Sequence, residues 1–134
     1  MSDAMSTYLE NALINGTLRN TAYSPQATVY VALYDTTASL ATLEASTHTG
    51  EIVGNAYART AITFDAPAGG VTQCTQTTFP QASGGNWGLV RYAAICEAAT
   101  AGNILYFGQL QLDKQVDDGD TFRFNAGDLT ITLS

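Results

Sequence analysis

The spacing of apolar and polar positions changes period once along this chain. In the first twenty residues Met5, Tyr8, Leu9, Ala12 and Leu13 recur at three-and-four spacing, the pattern of one helix face. Thr7 with Glu10 three residues later has the form of a capping box, and Ser2 or Asp3 offers an earlier start. Gly16 marks a stop, with Thr17-Leu18-Arg19 able to carry one more turn. So short a helix is marginal alone in water, so its apolar stripe must dock on its own sheet or on a neighbouring subunit.

After Asn20 the period shortens. Tyr23-Ser24-Pro25-Gln26 reads as a turn, because Pro25 lacks a backbone donor and fixes its own angle. Thr28–Tyr34 (TVYVALY) is a strand with Val29, Val31 and Leu33 on one face and Tyr30 and Tyr34 on the other, so both faces are expected to be covered. Residues 35–55 (DTTASLATLEASTHTGEIVGN) sustain no period and read as a long exposed excursion, the kind of connection that often makes contacts. Leu40 and Leu43 fit a single helical turn within it. Beyond it, strands are predicted at Tyr57–Phe64, Val71–Phe79, Leu89–Cys96, Ile104–Leu112, Thr121–Phe124 and Leu129–Leu133. The breakers APAGG, ASGGN, TAGN and NAGD separate most of them.

This pattern predicts an all-β fold: a single antiparallel β-sandwich, jelly-roll-like, with a short N-terminal helix. The organisation expected is an N-terminal helical arm over 1–20 and a sandwich domain over 21–134 carrying the polar excursion at 35–55. No repeat of propeller or solenoid period is visible.

Composition sharpens the picture. Charged residues make up 13% of the 134 residues and apolar ones 46%, too apolar for a disordered chain. Much of the surface must then be neutral Thr, Ser, Gln, Asn, Ala and Gly, which is cheap to desolvate and suits a protein packed against other subunits. The net charge of −7, with the five basic residues scattered singly, argues against nucleic-acid binding. No apolar run is long enough to span a bilayer, and the start MSDAMSTYLENAL lacks signal-peptide character, so no membrane role is expected and folding in a cytoplasm is the default. Cys74 and Cys96 are then expected to stay reduced and act as small apolar residues, with a strand-stapling disulfide as the alternative.

Parts for chemistry are scarce. His48 is the only histidine, which excludes triads and two-histidine zinc sites within one chain, and it reads as a solvated loop residue. Asp117-Asp118-Gly119-Asp120 reads as a strand-joining turn, with a calcium site as the alternative. Scattered Glu10, Glu44, Glu51 and Glu97 show no glycosidase-like pairing. Trp87 and Tyr92 are candidate sugar-stacking residues, although Trp87 beside an apolar strand fits a core-edge or interface anchor better. Gly84-Gly85 opens no phosphate-cradling helix. No enzyme activity, cofactor or metal is expected.

Several phrases, taken in order, carry a resemblance: YLENALINGTLRNTAYSPQATVYVALYD, GNAYARTAITF, WGLVRYAAICEAATAGNILYFGQL and DGDTFRFNAGDLTITLS. Together they resemble a family of small phage virion proteins, often labelled tail fibre or minor tail proteins, with chains of this size among capsid cement proteins. The resemblance implies a β-sandwich virion component and transfers no catalytic residue. A cement, or decoration, protein is the leading expectation: a homotrimer made in the host cytoplasm, bound to the capsid exterior and bridging subunits of the major capsid protein. A tail fibre or minor tail component with receptor- or glycan-binding loops is the alternative, and a host-side carbohydrate-binding module is a third reading. The expected partner contacts are Tyr8, Leu9 and Leu13 on the helix, Leu40 and Leu43 in the excursion, and the aromatic anchors Tyr23 and Trp87.

Overall fold

The computed structural model describes residues 2–133. Nine strands and two helices follow the chain: β1 (Ser2–Met5), α1 (Thr7–Leu18), β2 (Val29–Tyr34), α2 (Leu40–Glu44), β3 (Thr60–Ile62), β4 (Val71–Gln73), β5 (Thr77–Thr78), β6 (Gly88–Cys96), β7 (Ile104–Val116), β8 (Arg123–Phe124) and β9 (Thr130–Thr132). The fold is the expected antiparallel sandwich with a short helix near its start. One layer is a five-stranded sheet ordered β1-β7-β6-β2-β3. The other is two ribbons, β4-β9 and β5-β8, rather than a second full sheet.

Alternation along β2 decides which side chains meet which layer. Val31 and Leu33 face the ribbons and join Ile62, Val90, Ala93 and Ile95 with Cys74, Phe79, Trp87, Phe122, Phe124, Leu129 and Ile131 in the larger core. Ala32 and Tyr34 face the opposite way, with Ala94, Cys96, Ile104 and Phe107, and are covered by Ala38 and Leu43 from the α2 region. The reading of β2 as covered on both faces therefore holds. Cys74 and Cys96 are free and buried, one in each core.

Two sequence expectations are corrected here. The excursion at 35–55 is not simply exposed. Ser39 caps α2 in a capping box with Thr42, Leu43 is fully buried, and Ile52 is buried in the larger core. The polar residues that hid this segment from a periodicity reading are the ones that satisfy its backbone. Gly50 ties its far end to β2 through Asp35 N–H to Gly50 O at 2.8 Å. Its φ of +83° and a Cβ position only 2.7 Å from Asp35 Oδ1 leave no room for a side chain.

The first twenty residues, likewise, hold a strand as well as the expected helix. Ser2–Met5 pair antiparallel with Tyr106–Gln109 of β7 as an edge strand, in place of the helix start expected at Ser2 or Asp3. The helix begins one residue earlier than the Thr7–Glu10 pattern implied. Ser6 is its cap, accepting from Leu9 N–H at 3.2 Å while its hydroxyl donates to the Ile104 carbonyl. Gly16 lies inside the helix, which runs to Leu18. Ser6 is fully buried, so Ser6→Ala removes a cap and orphans a buried carbonyl together. We expect a loss of about 1–3 kcal/mol, measured by urea unfolding.

β6 and β7 form the central hairpin, and its register slips: Val90 pairs with Lys114 but Tyr92 with Gln109. The surplus of β7 bulges outward, leaving Leu112 83% exposed, and Arg91 straps the bulge through a bidentate contact to Asp113. Among the described residues no helix is long and apolar enough to cross a membrane.

Candidate functional site

The densest polar constellation lies where the end of the excursion meets the β6–β7 turn. Arg59 sits just before β3 with its side chain only 3% exposed. Its Nε donates to Glu51 Oε2 at 2.7 Å and its NH2 to Glu51 Oε1 at 2.8 Å. Its NH1 donates to the carbonyls of Ala98 and Ala101 at 2.9 and 2.7 Å. Tyr57 donates its hydroxyl to Glu51 Oε2 at 2.8 Å and accepts from Leu33 N–H at 3.1 Å. His48 is the correction here, because it is not a solvated loop residue. Its Nε2 lies 2.8 Å from the Gly102 carbonyl, which can only accept, so Nε2 carries the proton. Nδ1 then faces the Tyr34 hydroxyl at 2.7 Å.

Burial raises the Tyr34 and Tyr57 phenols far above the usual range, and it pushes the Cys96 thiol up to about 11. For Glu51, burial works to raise the carboxyl, but the hydrogen bonds from Arg59 and Tyr57 and the charge of Arg59 outweigh it, and the net direction is down. The arrangement ties three loops together with every polar group engaged by a neighbour. Because Glu51 ionises more easily folded than unfolded, its contribution is present above the ordinary glutamate value of 4.5 and is lost as pH falls below it. Glu51→Gln should flatten that acid limb, read as the change in thermal midpoint with pH.

A second constellation is open to solvent. Tyr8, Ala12 and Asn15 of α1 face Tyr23, Ser24 and Gln26 of the following extended segment across a groove of about 400 Å³, with Glu97 at its end. Glu97 Oε1 accepts from Asn103 N–H and Nδ2 at 3.2 and 2.9 Å, which fixes the carboxylate at the end of the β6–β7 hairpin. Burial, then the charge and hydrogen bond of Glu97, raise the Tyr8 phenol; burial and the neighbouring phenols and Glu97 raise that of Tyr23. Two aromatic rings, a carboxylate and several amides and hydroxyls give the groove the chemistry of a polar contact surface.

The structure thus brings together two of the residues singled out in the sequence, Tyr8 and Tyr23, and disperses the rest. Leu9, Leu43 and Trp87 turn into the protein's own core at 4%, 0% and 7% exposure, while Leu40 is 46% exposed and Leu13 half-buried. Trp87 donates its ring N–H to the Asn55 carbonyl at 2.9 Å and is an anchor within the chain. Tyr92 packs against the smaller core. Asn15 and Gln26 carry no cue in the sequence; Glu97 does, as a charge directly after an apolar strand, but its spacing from the other carboxylates gives no role.

At Asp117–Asp120 the carboxylates serve the turn itself: Asp120 Oδ2 accepts from Asp117 N–H at 2.9 Å, and Asp117 Oδ1 from Gln115 Nε2 at 2.8 Å.

No curated protein matches the chain. The family model for Gp80, described as podophage GP4 fiber I protein gp80, matches residues 4–132, and the chain therefore belongs to this family of phage structural proteins.

Proposed function

We propose that the chain is a non-catalytic component of a phage fibre, working through contacts with copies of itself and with neighbouring virion proteins. The observation that carries this reading is the match to a family described by a fiber protein, which extends over both layers of the sandwich. The charge-poor surface supports it, since a neutral surface loses little on desolvation. So does the groove between Tyr8 and Tyr23, an aromatic-edged surface of the sort that interfaces use.

Capsid cement is the second reading. What favours it is the compact sandwich itself, which has no shaft or repeat among the described residues and would suffice to bridge shell subunits on the capsid exterior. In either role a homotrimer would hold several weak contacts at once and gain from their linkage. Quantitative mass spectrometry of purified particles separates the two. A fibre component should be present far below the major capsid protein, whereas cement should approach it in proportion. Absence from purified particles would sink both. Light scattering on the isolated protein reads the trimer directly.

A further inference from the structure

The chain has five cations for twelve carboxylates, and where those cations sit is uneven. Arg59 is saturated by Glu51 and two carbonyls, Arg91 is paired with Asp113, and Arg19 lies 3.5 Å from Asn15 Oδ1. The remaining two, Lys114 on β7 and Arg123 on β8, form no ion pair among the described residues and line one groove together. That groove, of about 350 Å³, is completed by Thr78, Thr121 and Asn125.

Thr78 and Arg123 are cross-strand partners on the β5–β8 ribbon, so their placement is fixed by the ribbon's register. Lys114 is held opposite Val90 in the central hairpin. Asn125 begins the turn whose backbone N–H donates to Asp128 Oδ2 at 2.7 Å. That bond engages one oxygen of Asp128, which lines the adjoining groove with Lys114 and Arg123 and not this one. No carboxylate lines the groove. Every side chain that does can donate a hydrogen bond, two of them can only donate, and none is engaged by another described side chain or carbonyl.

We infer that the groove formed by Thr78, Lys114, Thr121, Arg123 and Asn125 binds the anionic group of an acidic sugar, a carboxylate or a phosphate. The guanidinium of Arg123 presents a planar fork that matches either group in two parallel hydrogen bonds, and Lys114 adds a point charge. The hydroxyls of Thr78 and Thr121 and the amide of Asn125 both donate and accept, which suits the ring hydroxyls flanking such an anion. Two cations that line one groove without an ion pair repel each other, and an anion held between them removes that repulsion. The inference rests on this geometry alone and holds whether the chain stands on a fibre or on a shell.

The test is an NMR titration of the whole chain with glucuronate, glucose 6-phosphate and glucose as three separate probes. Binding of either acid, with the shifts centred on residues 78, 114, 121, 123 and 125 and with glucose far weaker, supports the site. Binding of glucuronate alone assigns a carboxylate ligand, and of glucose 6-phosphate alone a phosphate. Arg123→Gln and Lys114→Gln should each weaken the acid by about tenfold, and Arg123→Lys, which keeps the charge and loses the fork, by less. Both positions are exposed, so the variants should melt with the parent protein. The inference is overturned if neither acid binds, if glucose binds as tightly as the acids, or if the folded Lys114→Gln and Arg123→Gln variants bind the acids unchanged.

Discussion

Arg59→Ala should lower the stability of the domain by about 3–5 kcal/mol, read as a thermal midpoint lower by on the order of 10–20 °C. The size of the effect comes from what the substitution leaves behind. Glu51 would keep its carboxylate against Tyr57 with its main counter-charge gone, and the Ala98 and Ala101 carbonyls would lose the donor that now satisfies them both. The three loops meeting at Arg59 come from sequence positions as far apart as His48 and Gly102, so its loss frees all of them together. The double variant Glu51→Leu with Arg59→Met should fall short of the single loss, because it removes both charges rather than stranding one. A drop below about 1 kcal/mol in Arg59→Ala would mean that the pair behaves as a solvent-screened surface pair.

Phe79→Ala is the second large loss, at about 3–5 kcal/mol by chemical unfolding. Phe79 is 2% exposed and joins the ribbons to the sheet through other aromatic rings. It stacks on Tyr57 at 6.3 Å and meets Trp87 edge-on at 6.4 Å, Phe122 at 5.7 Å and Phe124 at 6.3 Å. Truncation would leave a cavity bounded by those rings, which cannot close without moving strands from both layers. Phe79→Leu keeps much of the volume and should cost markedly less. Loss of near-ultraviolet dichroism with retained far-ultraviolet signal would place the damage in this aromatic packing.

The long strands were legible because their β-branched and aromatic residues alternate over enough positions to fix a period. β2 and β6 fall within a residue of their predicted bounds, and β7 extends past Leu112 because its far half pairs only with the start of β6. The predicted strand over 57–64 shrinks to Thr60–Ile62. Asn55 and Ala56 take left-handed backbone at φ of 52° and 69°, and Tyr57 and Arg59 are drawn into the polar hub rather than a ladder. The predicted strand over 71–79 splits into β4 and β5, since the chain leaves one ribbon partner, β9, for another, β8.

The hub was hidden for a different reason. Tyr34, His48, Glu51, Arg59 and Cys96 share no sequence spacing, and only the pairing of β2 with β6 brings Tyr34 and Cys96 into one layer. An arginine within the otherwise uncharged run 57–64 was the one available cue, because a cation there demands a partner. The groove of Tyr8 and Tyr23 was half legible. The aromatic residues stood out, but Glu97 reaches them only because the β6–β7 hairpin ends beside α1.

The most direct test of the central claim is cryo-EM of the intact particle with a tag carried on this chain. The account predicts label on a fibre and none spread over the shell. Label distributed across the capsid lattice, or particles that carry none at all, would contradict it.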